Sequence, residues 1–283
     1  MLVSMVDCHI HMVLDGRYWK AAIATHEKTV ALELCRRRLA RYRELGYTYL
    51  RDGGDRWGVG AAARAMAADY GITYRTPLAP LCAAGHYGKF IGLTYENTAQ
   101  FAQLVQSQRQ QGADFIKIMI SGLMDFDHFG VLTEEGLPEC LIRELIHIAH
   151  QEGMAVMAHA NGARTVEAAA CAGVDSVEHG AYLDTAALQA MADAGTVWVP
   201  TLSTVANLQG KGRFDDSQTR KILCSAMENL EAFCAMGGLI APGSDAGAWE
   251  VPHGVQAEYD LLARAGVTQT CLDAGIRKIM EKF

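Results

Sequence analysis

The chain has 283 residues, half of them hydrophobic by count, and no Pro/Ser/Gly-rich linker divides it. That favours a single domain over 1–283, a length that α/β barrels reach as one unit. A net charge of −7 and a pI near 5.8 argue against nucleic acid and anionic membrane as partners, and no apolar run approaches the roughly 18 residues that span a bilayer.

In chain order, the hydrophobic pattern predicts a strand at 5–11, a helix at 29–45, and strands at 47–51 and 73–80. A helix at 96–111 precedes a strand at 115–120, and a helix at 134–151 precedes a strand at 155–159. Then follow a helix at 163–172, a strand at 176–179, a helix at 184–194 and a strand at 197–202. A helix at 217–236, a strand at 239–244 and helices at 257–265 and 270–281 complete the pattern. Glycines 46, 112, 153, 173, 195 and 237 stand where these helices should stop before a strand. Eight strands, each followed by a helix or helical loop, predict an α/β fold of the (β/α)8 TIM-barrel type. A doubly wound sheet is the alternative, but it more often carries a Gly-rich phosphate loop after its first strand, and VDCHIHMVLDG is not one.

Active-site groups of a barrel come from the C-terminal ends of its strands. His9 and His11 end strand 1, His159 ends strand 5, His179 ends strand 6, and Asp245 follows strand 8. His26, His147 and His150 fall on helices or their starts and read as structural or solvated. Residues i and i+2 of a strand share a face, so the HxH spacing turns both imidazoles inward while Cys8 and Ile10 face the helices. Four histidines and a carboxylate form a nitrogen/oxygen ligand set that suits zinc or a similar first-row divalent ion. Lys117 lies inside the apolar run FIKIMI, where an isolated ammonium is costly and burial depresses its pKa. It pairs with an acid, reaches solvent, or stays neutral and reacts with carbon dioxide. The resulting carbamate is an anion able to bridge two metal ions.

Together these residues resemble the amidohydrolase superfamily. VDCHIHM is similar to its strand-1 motif, MAHANG and SVEHG to its strand-5 and strand-6 histidines, and GSDAG to its strand-8 aspartate. SVEHGAYLD and VWVPTLS look closest to the imidazolonepropionase-like, prolidase-like branch, and the likeness runs over about 6–266. The resemblance implies two divalent ions, most simply zinc. His9, His11 and Asp245 would hold one, His159 and His179 the other, and carboxylated Lys117 would bridge them. It implies hydrolysis of an amide C–N bond of a small substrate (a dipeptide, an N-acyl amino acid or a related amide) by a metal-bridging hydroxide, with Asp245 moving the proton. His86 in AAGHYG resembles the branch's Gly-His-Gly loop and is a candidate substrate contact, as are Tyr182 and His253. Relatives usually carry a small β-sandwich, which this sequence lacks, so the chain reads as a compact barrel or part of a longer protein. A homo-oligomer is compatible with either.

Two further readings remain. One is a mononuclear deaminase or cyclic amidohydrolase on the same barrel, with Lys117 a bystander. The other is a catalytically silent barrel that only binds. The segment MLVSMVDCH has no basic n-region or cleavage site, and the eight cysteines form no CxxC pair. Both point to reduced, buried thiols and a cytoplasmic location.

Overall fold

Strands covered on both faces read as nearly continuous apolar runs, and those runs become parallel strands here. The computed structural model describes residues 5–283. Its strands are β1 (Met5–Ile10), β2 (Tyr47–Asp52), β3 (Thr73–Arg75), β4 (Leu81–Ala83) and β5 (Leu93–Tyr95), followed by β6 (Ile116–Met119), β7 (Val156–Ala160), β8 (Ser176–His179), β9 (Val197–Val199) and β10 (Leu239–Ile240). They form two parallel sheets, β1-β2-β3 and β10-β9-β8-β7-β6-β4-β5. Within each sheet sequence neighbours lie side by side, except that β5 sits at the edge beside β4 and β6 pairs with β4 instead.

Past β10 the chain continues along β1. Cys8 N donates to Pro242 O (2.8 Å), Asp245 N to His9 O (2.7 Å) and His11 N to Ala246 O (2.7 Å). Pro242 cannot donate, which shortens β10 to two residues and leaves an irregular segment to carry Asp245. The strand expected at 73–80 breaks for the same reason. Pro77 and Pro80 interrupt it, Leu78 between them takes a φ of 67°, and the second piece re-pairs as β4.

The long helices run close to expectation, at Leu32–Glu44, Thr98–Gln110, Glu139–Gln151, Ala163–Cys171, Thr185–Ala194, Asp216–Ala235, Ala257–Arg264 and Gln269–Lys282. Asn97, Asp184, Asp215 and Thr268 cap four of them with side-chain oxygens. Short helices at Trp19–Ala24, Val59–Ala67 and Ser203–Ala206 were not anticipated.

Apolar side chains gather in three clusters, two of them between strands and helices and a third that joins strand residues to the C-terminal helix. That third cluster joins Val6, Cys8, Tyr49, Phe115, Met157, Val197 and Val199 to Phe283. Cys8 thus packs inward rather than toward the helices. The pairing of β1 slips between Asp7 and Ile10, which breaks strict alternation.

The cysteines also depart from expectation. Cys234 and Cys271 are paired, joining the helices Asp216–Ala235 and Gln269–Lys282, and Cys140, Cys171 and Cys224 are exposed. Cys8, Cys35 and Cys82 are free and buried. Which helix ends meet is a tertiary outcome that cysteine spacing does not encode. Among the described residues no helix is long and apolar enough to cross a membrane.

Candidate metal centre and active site

β1, β6, β7, β8 and the segment after β10 bring their C-terminal ends to one cavity. His9, His11, Lys117, His159 and Asp245 are all buried. The Nε2 atoms of His9 and His11 are 3.4 Å apart, and Asp245 Oδ1 lies 3.6 and 3.4 Å from them. The ring of His179 is 5.2 Å from that of His9 and 4.6 Å from that of His159, centroid to centroid.

Three of the four imidazoles have a second group within reach, as metal-binding histidines usually do, whereas His11 Nδ1 has no hydrogen-bond partner among the described residues. His9 Nδ1 sits 2.8 Å from Glu178 Oε2, at ion-pair distance though poorly aligned for a hydrogen bond. His159 Nε2 is 3.1 Å from Gly122 O, and His179 Nδ1 is 2.7 Å from Thr201 Oγ1. A nitrogen that donates to a carbonyl or carboxylate leaves its ring partner with the lone pair. With its proton on Nδ1, the nitrogen that faces Glu178, His9 would turn the lone pair of Nε2 toward His11 and Asp245. Asp7 fixes the loop before Asp245, accepting from Ser244 N (2.9 Å) and Ser244 Oγ (2.6 Å). His179 and Asp245 hold left-handed backbone at φ 67° and 58°, a conformation that costs a non-glycine residue about 1–3 kcal/mol and that clusters at functional sites.

Burial lowers the pKa of all four imidazoles, to about 3 for His11 and His159, and the Lys117 charge adds to the effect at each. Neutral imidazoles are what a metal requires. Burial also pulls the Lys117 ammonium down and pushes the Asp245 carboxyl up. Among the described residues Lys117 Nζ and Asp245 Oδ1 find no hydrogen-bond partner. Orphaned buried atoms beside inward-facing lone pairs fit a divalent cation, and His9, His11 and Asp245 by themselves form a possible metal site.

Sequence reasoning missed Arg51 and Glu178 as a buried pair. Arg51 runs inward from β2. Its Nη2 meets Glu178 Oε1 at 2.8 Å, its Nη1 meets Ser176 Oγ and its Nε meets Cys8 O. Asp52 faces the other way, accepting from Met12 N at 3.1 Å. The signal was present in SVEHG, a charge inside a buried strand, just as it was for Lys117.

The cavity measures about 650 Å³, with His11, His179 and Asp245 lining one part of it. Trp19, Tyr87, Phe90, Phe126, Phe214 and Trp249 supply aromatic wall. None of the three tentative substrate contacts lines it. His86 turns outward to Glu134, and its neighbour Tyr87 takes the inward place against His159. Tyr182 packs edge-on against Phe129, and His253 sits between Tyr42 Oη and Leu14 O.

A Xaa-Pro dipeptidase with methionine bound in its active site superposes on this chain with a TM-score of 0.79 at 20% identity, covering 99% of this chain and 75% of that one. Aspergillus niger ochratoxinase superposes with a TM-score of 0.75 at 20% identity, over 97% of this chain and 68% of its own. An amidohydrolase of known structure does so at 0.75 and 22% identity, over 92% of this chain and 69% of that one. The chain shares the fold of these proteins. The resemblance read from VDCHIHM, MAHANG, SVEHG and GSDAG is thereby borne out at the level of fold, on a parallel α/β framework. In sequence, the A. niger ochratoxinase is 24% identical over 284 residues, 87% of this chain. The chain spans about 58% of the length of that relative. No protein-family model matches the chain.

Proposed function

We propose that this chain is a metal-dependent amidohydrolase that cleaves an amide bond of a small-molecule substrate. The observation that carries the reading is the gathering of four histidines, Lys117 and Asp245, all buried except the half-buried His179, with His11, His179 and Asp245 lining one cavity. The two sheets are proposed to close into one (β/α)8 barrel, a closure supported by the main-chain bonds between β1 and the segment 242–246.

His9, His11 and Asp245 would hold one divalent ion, most simply zinc, and His159 and His179 a second. A neutral Lys117 amine that attacks carbon dioxide forms an N–C bond and releases one proton. The resulting carbamate would replace an unpartnered amine with an anionic ligand that could serve both ions. Such ions, when bound, lower the pKa of water and polarise a carbonyl. The chain's own residues then supply orientation and proton transfer. Asp245 Oδ1, held within 3.6 Å of both His9 and His11, takes a proton from the attacking water and returns it to the leaving amine. The names of the similar proteins, a dipeptidase, an ochratoxinase and an amidohydrolase, support an amide bond as the target.

The tight grouping of His9, His11 and Asp245 alone favours a second reading, a mononuclear enzyme that deaminates or opens cyclic amides. Purified protein supplied with zinc and bicarbonate, assayed against dipeptides, N-acyl amino acids and cyclic amides, separates the two. Turnover of linear amides is expected. Activity confined to cyclic amides or amines would favour the mononuclear reading, and none with any metal would leave a binding barrel.

A further inference from the structure

The wall of the cavity is aromatic on most sides, yet two guanidinium groups also line it, from Arg17 and Arg213. Their settings differ. The guanidinium carbon of Arg213 lies over the Trp249 ring, 4.0 Å from its centroid, and 5.1 Å from that of Phe214. Among the described residues it makes no hydrogen bond or ion pair. Among the described residues Arg17 has no such stacking partner. The two acids of the lining are committed elsewhere. Asp125 binds His128 Nδ1 and Asp127 N, each at 2.9 Å, and Asp245 belongs to the floor.

A guanidinium held by its face on an indole keeps its N–H edge free, and that edge matches a carboxylate with two parallel hydrogen bonds. Stacking also removes much of the side-chain freedom that binding would otherwise have to freeze. We propose that Arg213, seated on Trp249, is the carboxylate anchor of this cavity, and that the substrate is an N-acyl amino acid carrying an aromatic or bulky apolar group and a free carboxylate. The carboxylate meets Arg213, the apolar group fills the aromatic wall, and the amide lies toward His11, His179 and Asp245. The inference rests on the amidohydrolase reading above for the scissile bond, but not for the anchor.

The test uses N-benzoyl-phenylalanine, its carboxamide and N-acetylglycine as probes. Equilibrium binding to the intact protein is read from tryptophan fluorescence, with hydrolysis followed separately. Wild type is expected to bind the acid at least roughly tenfold tighter than the carboxamide, the span of one charge-assisted pair, and to bind N-acetylglycine more weakly than either. Arg213→Gln removes the preference for the acid and leaves carboxamide binding in place, and Arg213→Lys restores only part of it. Equal binding of acid and carboxamide by wild type would overturn the proposal. So would equal weakening of both in Arg213→Gln, or transfer of the effect to Arg17→Gln. Selective binding without hydrolysis would sink the amidohydrolase reading and leave the anchor. Hydrolysis without carboxylate preference would do the reverse.

Discussion

Replacing Arg51 with methionine removes the cation from the most enclosed ion pair among the described residues. Arg51 and Glu178 are both 0% exposed and meet at 2.8 Å. The guanidinium also holds Ser176 Oγ at 2.9 Å and Cys8 O at 2.7 Å, and it lies 4.4 Å from the Phe283 ring centroid. Methionine fills much of the volume but makes none of these bonds, so Glu178 loses its guanidinium partner and retains the Ser176 hydroxyl and His9 as contacts. Breaking one side of a buried pair costs about 3–5 kcal/mol, because the remaining charge stays desolvated. Urea unfolding of Arg51→Met should show a loss of that size. Arg51→Met/Glu178→Met should fall short of the sum of its single variants by at least about 1 kcal/mol, as coupled neighbours do. Arg51→Met within about 1 kcal/mol of wild type, or strict additivity, would refute the reasoning.

Two further outcomes follow from the packing around the site. A Cβ at Gly53 would fall inside the His11 imidazole, so Gly53→Ala should weaken zinc binding at least roughly tenfold by displacing a ligand, with the far-ultraviolet spectrum unchanged. Unaltered zinc affinity in a competition titration would count against His11 as a ligand. Asp52 has its pKa raised to about 7 by burial and then by Asp55. Its folded-state proton stabilises the protein below the unfolded pKa, and that contribution is lost as pH rises through 7. Asp52→Asn should therefore gain on wild type between about pH 4 and 7, by something on the order of 3–4 kcal/mol, and level off above. A difference that stays flat with pH across urea titrations would contradict this.

Strand order and the long helices were legible because apolar runs bounded by glycine carry their own period. The ladder breaks followed from Pro77, Pro80 and Pro242, whose missing N–H groups were visible in the sequence but not weighed. The six polar residues proposed as ligands stood out because each interrupts or ends a buried strand. What local pattern did not contain was orientation. His86 and Tyr87 are adjacent, and loop geometry alone decides that the tyrosine turns inward. Arg51 reaches Glu178 across 127 positions, and Cys234 meets Cys271 across 37. Both contacts depend on how the elements stagger, which no short window encodes.

The central claim is that one cavity floor holds two divalent ions bridged through Lys117. Metal content of the purified protein, loaded with zinc and bicarbonate and then dialysed, tests it directly. The account predicts about two ions per chain in wild type and at most one in Lys117→Ala, since the bridge and the second site depend on the lysine. One ion per chain, unchanged by Lys117→Ala, would contradict it.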